Sequence, residues 1–137
     1  MIDTTTPFGA RVARRLSEES IVWLTTVRDD GTPRPSPGWF LWDGKTFLIY
    51  SQPNTRKLRN IARSAKVALH LNGDRHGNDI VILTGDARIA DDAPPGHEVP
   101  TFVKKYEADL GHGEAAERMA RDYSVAIRVT PTGLRGF

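Results

Sequence analysis

At 137 residues and 15.2 kDa the chain has the size of one domain, enough to bury a single sizeable core. Mean hydropathy is −0.43 and no apolar run exceeds four residues, as in Ile21-Val22-Trp23-Leu24, which excludes a membrane-spanning helix of about 20 residues. The complete lack of cysteine excludes disulfides, thiolate nucleophiles and cysteine-held iron–sulfur or zinc centres. With no apolar signal stretch over Met1 to Arg15, the cytoplasm is the expected compartment. The net charge of +2 hides an asymmetry: Gly44 to Gly73 contains no Asp or Glu, while Lys45, Arg56, Lys57, Arg59, Arg63 and Lys66 supply six positive charges. The remainder holds 13 basic and 17 acidic residues. Such a local block predicts an anionic partner. It is too short for a nucleic-acid stripe, and residues 52 to 66 contain no aromatic for base stacking, so a small anionic ligand fits better than nucleic acid.

In chain order, Thr6-Pro7 predicts a helix start, and Phe8, Val12 and Leu16 recur at four-residue spacing to give a buried stripe that ends near Glu19. Ile21 to Val27 is apolar and β-branched, Asp29-Asp30-Gly31-Thr32-Pro33 is turn chemistry, and Gly38 to Trp42 and Thr46 to Tyr50 flank Asp43-Gly44. These form a three-strand meander. Pro33-Arg34-Pro35-Ser36-Pro37 has three residues without an amide hydrogen, so this stretch is expected not in a fully paired central strand but at an edge or in a strand that opens onto something else. Asn54 or Thr55 is placed to cap a short helix running through Arg63, with Leu58, Ile61 and Ala62 inward. Strands are expected over Val67 to Leu71 and over Ile80 to Ile89, the latter interrupted at Gly85 by a bulge or bend. Phe102, Val103, Tyr106 and Leu110 mark a helix stopped by Gly111; Glu114 to Arg121 is a second short helix; Tyr123 to Val129 is a last strand ending at Pro131. Six strands with regular turns and peripheral helices predict a mainly β fold, a small antiparallel barrel forming one domain over residues 1–137.

The chemistry-bearing stretch is Ser51-Gln52-Pro53-Asn54-Thr55-Arg56-Lys57-Leu58, a strand end that passes through a hydroxyl-rich loop into a basic helix start. Phosphate suits this order, because helix-start amides point unpaired donors outward, the macrodipole adds partial positive charge, and Ser51, Thr55, Arg56 and Lys57 add hydroxyl and charge-assisted bonds. A capped surface helix with solvated cations is the competing account. His70, His76, His97 and His112 lack ligand spacing, so no metal site is expected. Asp29-Asp30 and Asp91-Asp92 read as turn residues, Trp23, Trp39 and Trp42 as barrel packing with Trp39 close enough in sequence to the proline segment to line a substrate pocket instead, and Met119 and Tyr123 as core.

The order of a strand, a Ser-rich turn, Thr55-Arg56-Lys57, Asn60 and a strand beginning near Lys66 resembles the phosphate loop of the pyridoxamine 5′-phosphate oxidase-like split β-barrel family. The Val27 to Pro33 hairpin, Trp39-Phe40-Leu41-Trp42-Asp43-Gly44, Thr84-Gly85-Asp86-Ala87 and Val125 to Pro131 extend the likeness over nearly the whole chain. Within that family it looks most like the short actinobacterial-type branch of flavin/deazaflavin oxidoreductases that use coenzyme F420, and 14 Arg to 5 Lys fits a GC-rich gene. The resemblance implies a homodimer of six-stranded split barrels with two cofactor sites at the subunit interface. It implies that Ser51, Thr55, Arg56 and Lys57 hold the cofactor phosphate, that Arg34, Pro35, Ser36, Pro37 and Gly38 lie along the ring edge, and that Asn78, Asp79 and Ile80 approach from the partner subunit. The prolines free backbone groups of that strand to face a polar ring edge. F420 is the expected cofactor, with Arg59, Arg63 and Lys66 placed for its anionic tail, and FMN is the alternative. The expected activity is hydride transfer to a small unsaturated or quinone-like substrate. A carrier that binds flavin or deazaflavin without turnover is the rival from another class.

Overall fold

The computed structural model describes residues 1–110, 118–119 and 121–137. Helix α1 (Pro7–Glu18) leads into β1 (Ile21–Val27), β2 (Pro33–Trp42) and β3 (Phe47–Ser51), then α2 (Arg56–Arg63), β4 (Lys66–His70), β5 (Val81–Ile89), α3 (Pro100–Leu110) and β6 (Val125–Gly136). All neighbours are antiparallel, and the order β1-β2-β3-β6-β5-β4 closes into a six-stranded barrel. Closure removes free sheet edges except where a pairing is incomplete.

The period-two alternation of β1 turns Val22, Leu24 and Thr26 inward, where the apolar members join Phe40, Phe47, Ile49, Leu69, Leu83, Ile127 and Val129 in the barrel core. Helix α1 covers one mouth with Val12 and Leu16, and Thr6 caps it by accepting the Gly9 amide at 3.0 Å. A second apolar cluster of Leu48, Tyr50, Phe102 and Tyr106 lies between the outer barrel wall and α3.

Three local expectations change. Strand β6 runs straight through Pro131, because the register slips at Thr84/Gly85 and Thr132 is the extra residue opposite. A bulge is one of the few places where a strand tolerates proline. The bulge expected at Gly85 is present, and a Cβ there would come 2.7 Å from Val129 Cγ1 and 2.9 Å from the Thr130 oxygen. On α2 the inward residues are Leu58, Asn60 and Ile61, while Ala62 is exposed. Trp23 is not in the core: an odd position of β1 points it outward, where it stacks on His70 and donates to Asn72 Oδ1 at 3.0 Å. The stop expected at Gly111 and most of the Glu114 to Arg121 helix lie outside the described residues, of which Arg118, Met119 and Arg121 are helical.

Tyr106 replaces a missing ladder rung. Strand β1 starts at Ile21, opposite Trp39, so Phe40 has no strand partner on that side. The fully buried Tyr106 hydroxyl accepts the Phe40 amide at 2.8 Å and also lies 2.8 Å from the Ser20 and Phe40 carbonyl oxygens. Lys105 Nζ donates to the Phe40 and Leu16 oxygens at 3.0 and 3.4 Å, with Phe40's ring centroid 3.6 Å away. Two adjacent residues of α3 thus close the seam between β1, β2 and the end of α1.

Candidate functional site

Strand β2 divides its partners. Residues 33–39 pair with β1, from Val27↔Pro33 to Ile21↔Trp39, whereas only Phe40, Leu41 and Trp42 pair with β3. The hairpin bonds at its ends, Arg28 N–H to the Thr32 oxygen at 2.9 Å and Asp43 N–H to the Thr46 oxygen at 3.2 Å, fix the parity of the ladder. Even-numbered backbone groups of β2 turn toward β1, and odd-numbered ones toward the β3 side. The two strands part at Gly38, where a Cβ would already sit 3.3 Å from Ile49 Cγ2. The expected edge at 33–37 is therefore present. The amides of Arg34 and Ser36 are spent on β1, so the groups left facing the opening are carbonyls of Pro33, Pro35 and Pro37, not free amides.

Across the opening stands the start of α2. Asn54 takes the left-handed region at φ 60°, the turn that swings the chain from β3 into the helix. Thr55 occupies the N-cap position with no side-chain cap bond; its Oγ1 instead lies 3.3 Å from the Oγ of buried Ser51. The first-turn amides thus keep their unpaired donors. Among the described residues Arg34, Arg56 and Lys57 form no ion pair. Burial pushes the Lys57 ammonium below its ordinary pKa, since desolvation penalises the charged form and no anion offsets it.

Two cavities meet at Lys57. One, of about 160 Å³, is lined by Thr26, Arg34, Pro35, Ser36, Thr55, Arg56, Lys57 and Asn60. The other, of about 290 Å³, is walled by Ile21, Pro37, Gly38, Trp39, Tyr50, Met119 and Tyr123, with Lys57 at its boundary. Neither has an acidic lining residue among the described residues. The fold thus brings the expected Arg34 to Gly38 and Thr55 to Lys57 segments together along one groove, with Ser51 behind Thr55. Tyr123, expected in the core, is 39% exposed and belongs to the groove. Tyr50 is held by donating to the Pro94 oxygen at 2.6 Å, and burial raises its pKa.

Asn78, Asp79 and Ile80 lie elsewhere in the chain. Asp74 gathers the Asn78 loop through 2.8 Å bonds from the His76 and Asn78 amides, and Asp79 sits at φ 57° beside Arg11 and Arg15 of α1. Ile80 exchanges both backbone bonds with Phe137 at 3.0 Å. None of the three lines the groove of its own chain. Of the outlying cations, Arg59 and Arg63 line a third cavity with Arg28, Asp29, Arg56 and Asn60, while Lys66 is paired with Asp86 at 2.7 Å. No cluster of potential metal ligands occurs among the described residues.

Sequence reasoning named Asn60 only as part of the phosphate-loop pattern and overlooked Thr26; the two meet at 3.0 Å between Asn60 Nδ2 and Thr26 Oγ1 in the lining of the cationic cavity. A signal existed: Thr26 is a polar residue at an inward-facing position of β1, which needs a partner. Tyr50 and Ile21 had none, because their place at the opening depends on where β2 and β3 part.

The sequence model for pyridoxamine 5′-phosphate oxidase matches residues 8–136. The chain belongs to that family. No curated protein matches. Among solved structures, an F420 reductase is 27% identical with a TM-score of 0.66, over 89% of this chain and 94% of that one. A conserved hypothetical protein from Mycobacterium tuberculosis is 21% identical with a TM-score of 0.69, covering 92% and 81%. The heme storage protein HutZ from Vibrio cholerae is 14% identical with a TM-score of 0.69, covering 96% and 95%. The last two share the fold of this family member, and no helix among its described residues is long and apolar enough to cross a membrane.

Proposed function

We propose that this family member is an F420-dependent oxidoreductase, active as a homodimer, that passes hydride between the deazaflavin and a small unsaturated or quinone-like substrate. The observation that carries the reading is the position of Lys57, an unpaired and partly desolvated cation at the junction of a cationic and an aromatic cavity. The residues fit a phosphate-bearing ring system. Open first-turn amides, two uncompensated cations and the Ser51 and Thr55 hydroxyls suit a phosphate, and an acid-free lining imposes no repulsion on it. Trp39, Tyr50 and Tyr123 give the neighbouring cavity flat walls for a planar ring.

In this reading Ser51, Thr55, Arg56 and Lys57 bind the phosphate, and Arg34 to Gly38 border the ring. Asn78, Asp79 and Ile80 belong to the second copy's groove, since α1 and the C-terminal strand hold them away from their own. The cofactor supplies two-electron hydride chemistry when bound; the chain binds it, orients it and shields one ring face from water. F420 is favoured over FMN because Arg28, Arg59 and Arg63, which outnumber the one acid Asp29 in the cavity beyond Arg56, suit an anionic tail leaving the phosphate, and because an F420 reductase is among the similar structures.

Titration of the purified chain with F420 and with FMN, followed by quenching of tryptophan fluorescence, tests this assignment. Trp39 walls the groove, so saturable quenching by F420 at concentrations well below those needed for FMN is the expected result. Tighter FMN binding moves the protein to the flavin-dependent alternative. Binding without hydride transfer to any quinone or enone acceptor makes it a carrier, and binding of neither cofactor overturns the reading.

A further inference from the structure

Strand β3 is buried on both faces although it belongs to a single barrel wall. Its period-two alternation sends Phe47 and Ile49 into the barrel, and Leu48 and Tyr50 outward into the cluster under α3. The end of β2 behaves alike: Phe40 points in, while Trp39 and Leu41 pack outward against the same cluster. The aromatic cavity, walled by Trp39 and Tyr50, therefore lies outside the barrel, at the margin of the area that α3 covers. A sheet by itself does not hold a large side chain on its outer wall in one rotamer.

Helix α3 supplies what the sheet does not. Phe102 and Tyr106, one turn apart on one helix face, are 1% and 0% exposed, and neither lines the cavity. The Tyr106 ring stacks on Trp39 with centroids 4.8 Å apart and planes 10° from parallel, and the Phe102 ring meets Tyr50 edge-on at 5.2 Å. The two α3 rings also contact each other, at 4.8 Å. Each wall ring thus has one part against α3 and another on the cavity. The Tyr106 hydroxyl has a separate task, since it clasps Phe40 and Ser20 and so fastens α3 to the barrel.

We infer that Tyr106 and Phe102 are positioning residues of the groove, holding Trp39 and Tyr50 as fixed walls so that a planar ring enters a preformed slot. The inference rests on the cofactor reading above and goes beyond it, because it gives a part in binding to two residues that stand behind the walls. Side chains that must be ordered at the moment of binding cost entropy and weaken affinity; walls ordered beforehand avoid that cost.

The test compares Tyr106→Leu with Tyr106→Phe in the full chain, by calorimetric titration with F420 and, separately, with FMN. Both variants lose the hydroxyl clasp and the stability it brings, but only leucine removes the ring behind Trp39. Tyr106→Leu is expected to weaken the tighter-binding cofactor about three- to tenfold, and Tyr106→Phe to restore affinity close to that of wild type. A role confined to folding would lower the unfolding midpoint of both variants and leave the affinity of the folded chain unchanged. Phe102→Leu, which keeps apolar bulk and removes the ring edge on Tyr50, should weaken binding by a similar factor, and it decides the matter where Tyr106→Leu does not fold. Wild-type affinity in the leucine variants, or an equal loss in Tyr106→Leu and Tyr106→Phe, overturns this inference and leaves the cofactor reading standing. Failure of the wild type to bind either F420 or FMN overturns the two together.

Discussion

Helices α1 and α2 are both rich in arginine, yet they use it in opposite ways. On α1 the cations are neutralised: Arg14 and Arg15 reach Glu18 and Glu19 one turn later, at 4.0 and 2.6 Å, and Arg11 lies 3.8 Å from Asp79. Its N-terminus is capped by Thr6. On α2 the N-cap hydroxyl turns away, Arg56 and Lys57 form no ion pair among the described residues although Asp29 shares the third cavity with Arg56, and Lys57 is partly desolvated without compensation. Charge that is paired fastens a helix to its barrel. Charge that is left unpaired beside a cavity raises the free energy of the empty groove and is relieved when an anion enters.

The sharpest way to break this contrast is to truncate both free cations. Arg56→Ala with Lys57→Ala should weaken F420 binding by about 2–4 kcal/mol, some 30- to 1000-fold by fluorescence titration, because two charge-assisted bonds disappear. Urea unfolding should shift by less than about 0.5 kcal/mol, since neither residue makes an ion pair among the described residues. On the other side of the comparison, Arg15→Ala should cost about 2 kcal/mol in urea unfolding and weaken cofactor binding far less than the double variant does, only through the Asp79 carbonyl it holds. Arg15 joins Glu19 to the Asn72 and Asp79 carbonyls, tying α1 to the loop before β5. A large loss of binding there would make α1 part of the site. Tyr106→Phe should cost a similar 1–3 kcal/mol, because it orphans a buried Phe40 amide.

A smaller effect concerns pH. Burial pushes the Lys105 ammonium down to about 8 from an ordinary 10.5, with Glu19 opposing the shift. The folded chain releases this proton before the unfolded chain does, so between about pH 8 and 10.5 the unfolded state binds more protons and this residue adds stability as pH rises. Below pH 8 the cost of the buried charge is fully present. Tyr50, whose pKa burial raises, works the other way only above about pH 10. Unfolding in urea at pH 7 and 9.5 should therefore show wild type gaining relative to Lys105→Met, and parallel curves would remove the lysine as the cause. The smallest expected change is Arg14→Ala, a solvent-exposed pair member, at under about 0.5 kcal/mol.

What the sequence disclosed follows from the range of the interactions involved. Strand runs, the Asp43-Gly44 hairpin, the helix stripes and the phosphate-suited turn are local patterns, and each lies within a residue or two of its expected place except the C-terminal end of β6, which runs on to Gly136. The proline segment was legible as an edge because proline's missing donor is a property of the residue itself. Its consequence, an outward row of carbonyls, needed the register. Pro131 misled for the same reason, since only the cross-strand slip opposite Thr84/Gly85 shows why a proline fits there. Tyr106 and Lys105 reach Phe40 across more than sixty residues, and no spacing along the chain encodes that. The grouping of Met119 and Tyr123 with Trp39 is likewise a tertiary fact, while Asn78 to Ile80 could be located but not joined to any groove within one chain.

The Tyr106 hydroxyl also has a kinetic consequence. Because it stands where a strand should be, the Phe40 amide is sheltered from solvent by a side chain of α3 and not by the sheet. Hydrogen–deuterium exchange at that single amide therefore times the undocking of α3 from the barrel, separately from the global unfolding that releases its neighbours Leu41 and Val22. One peptide group becomes a clock for the motion of one helix.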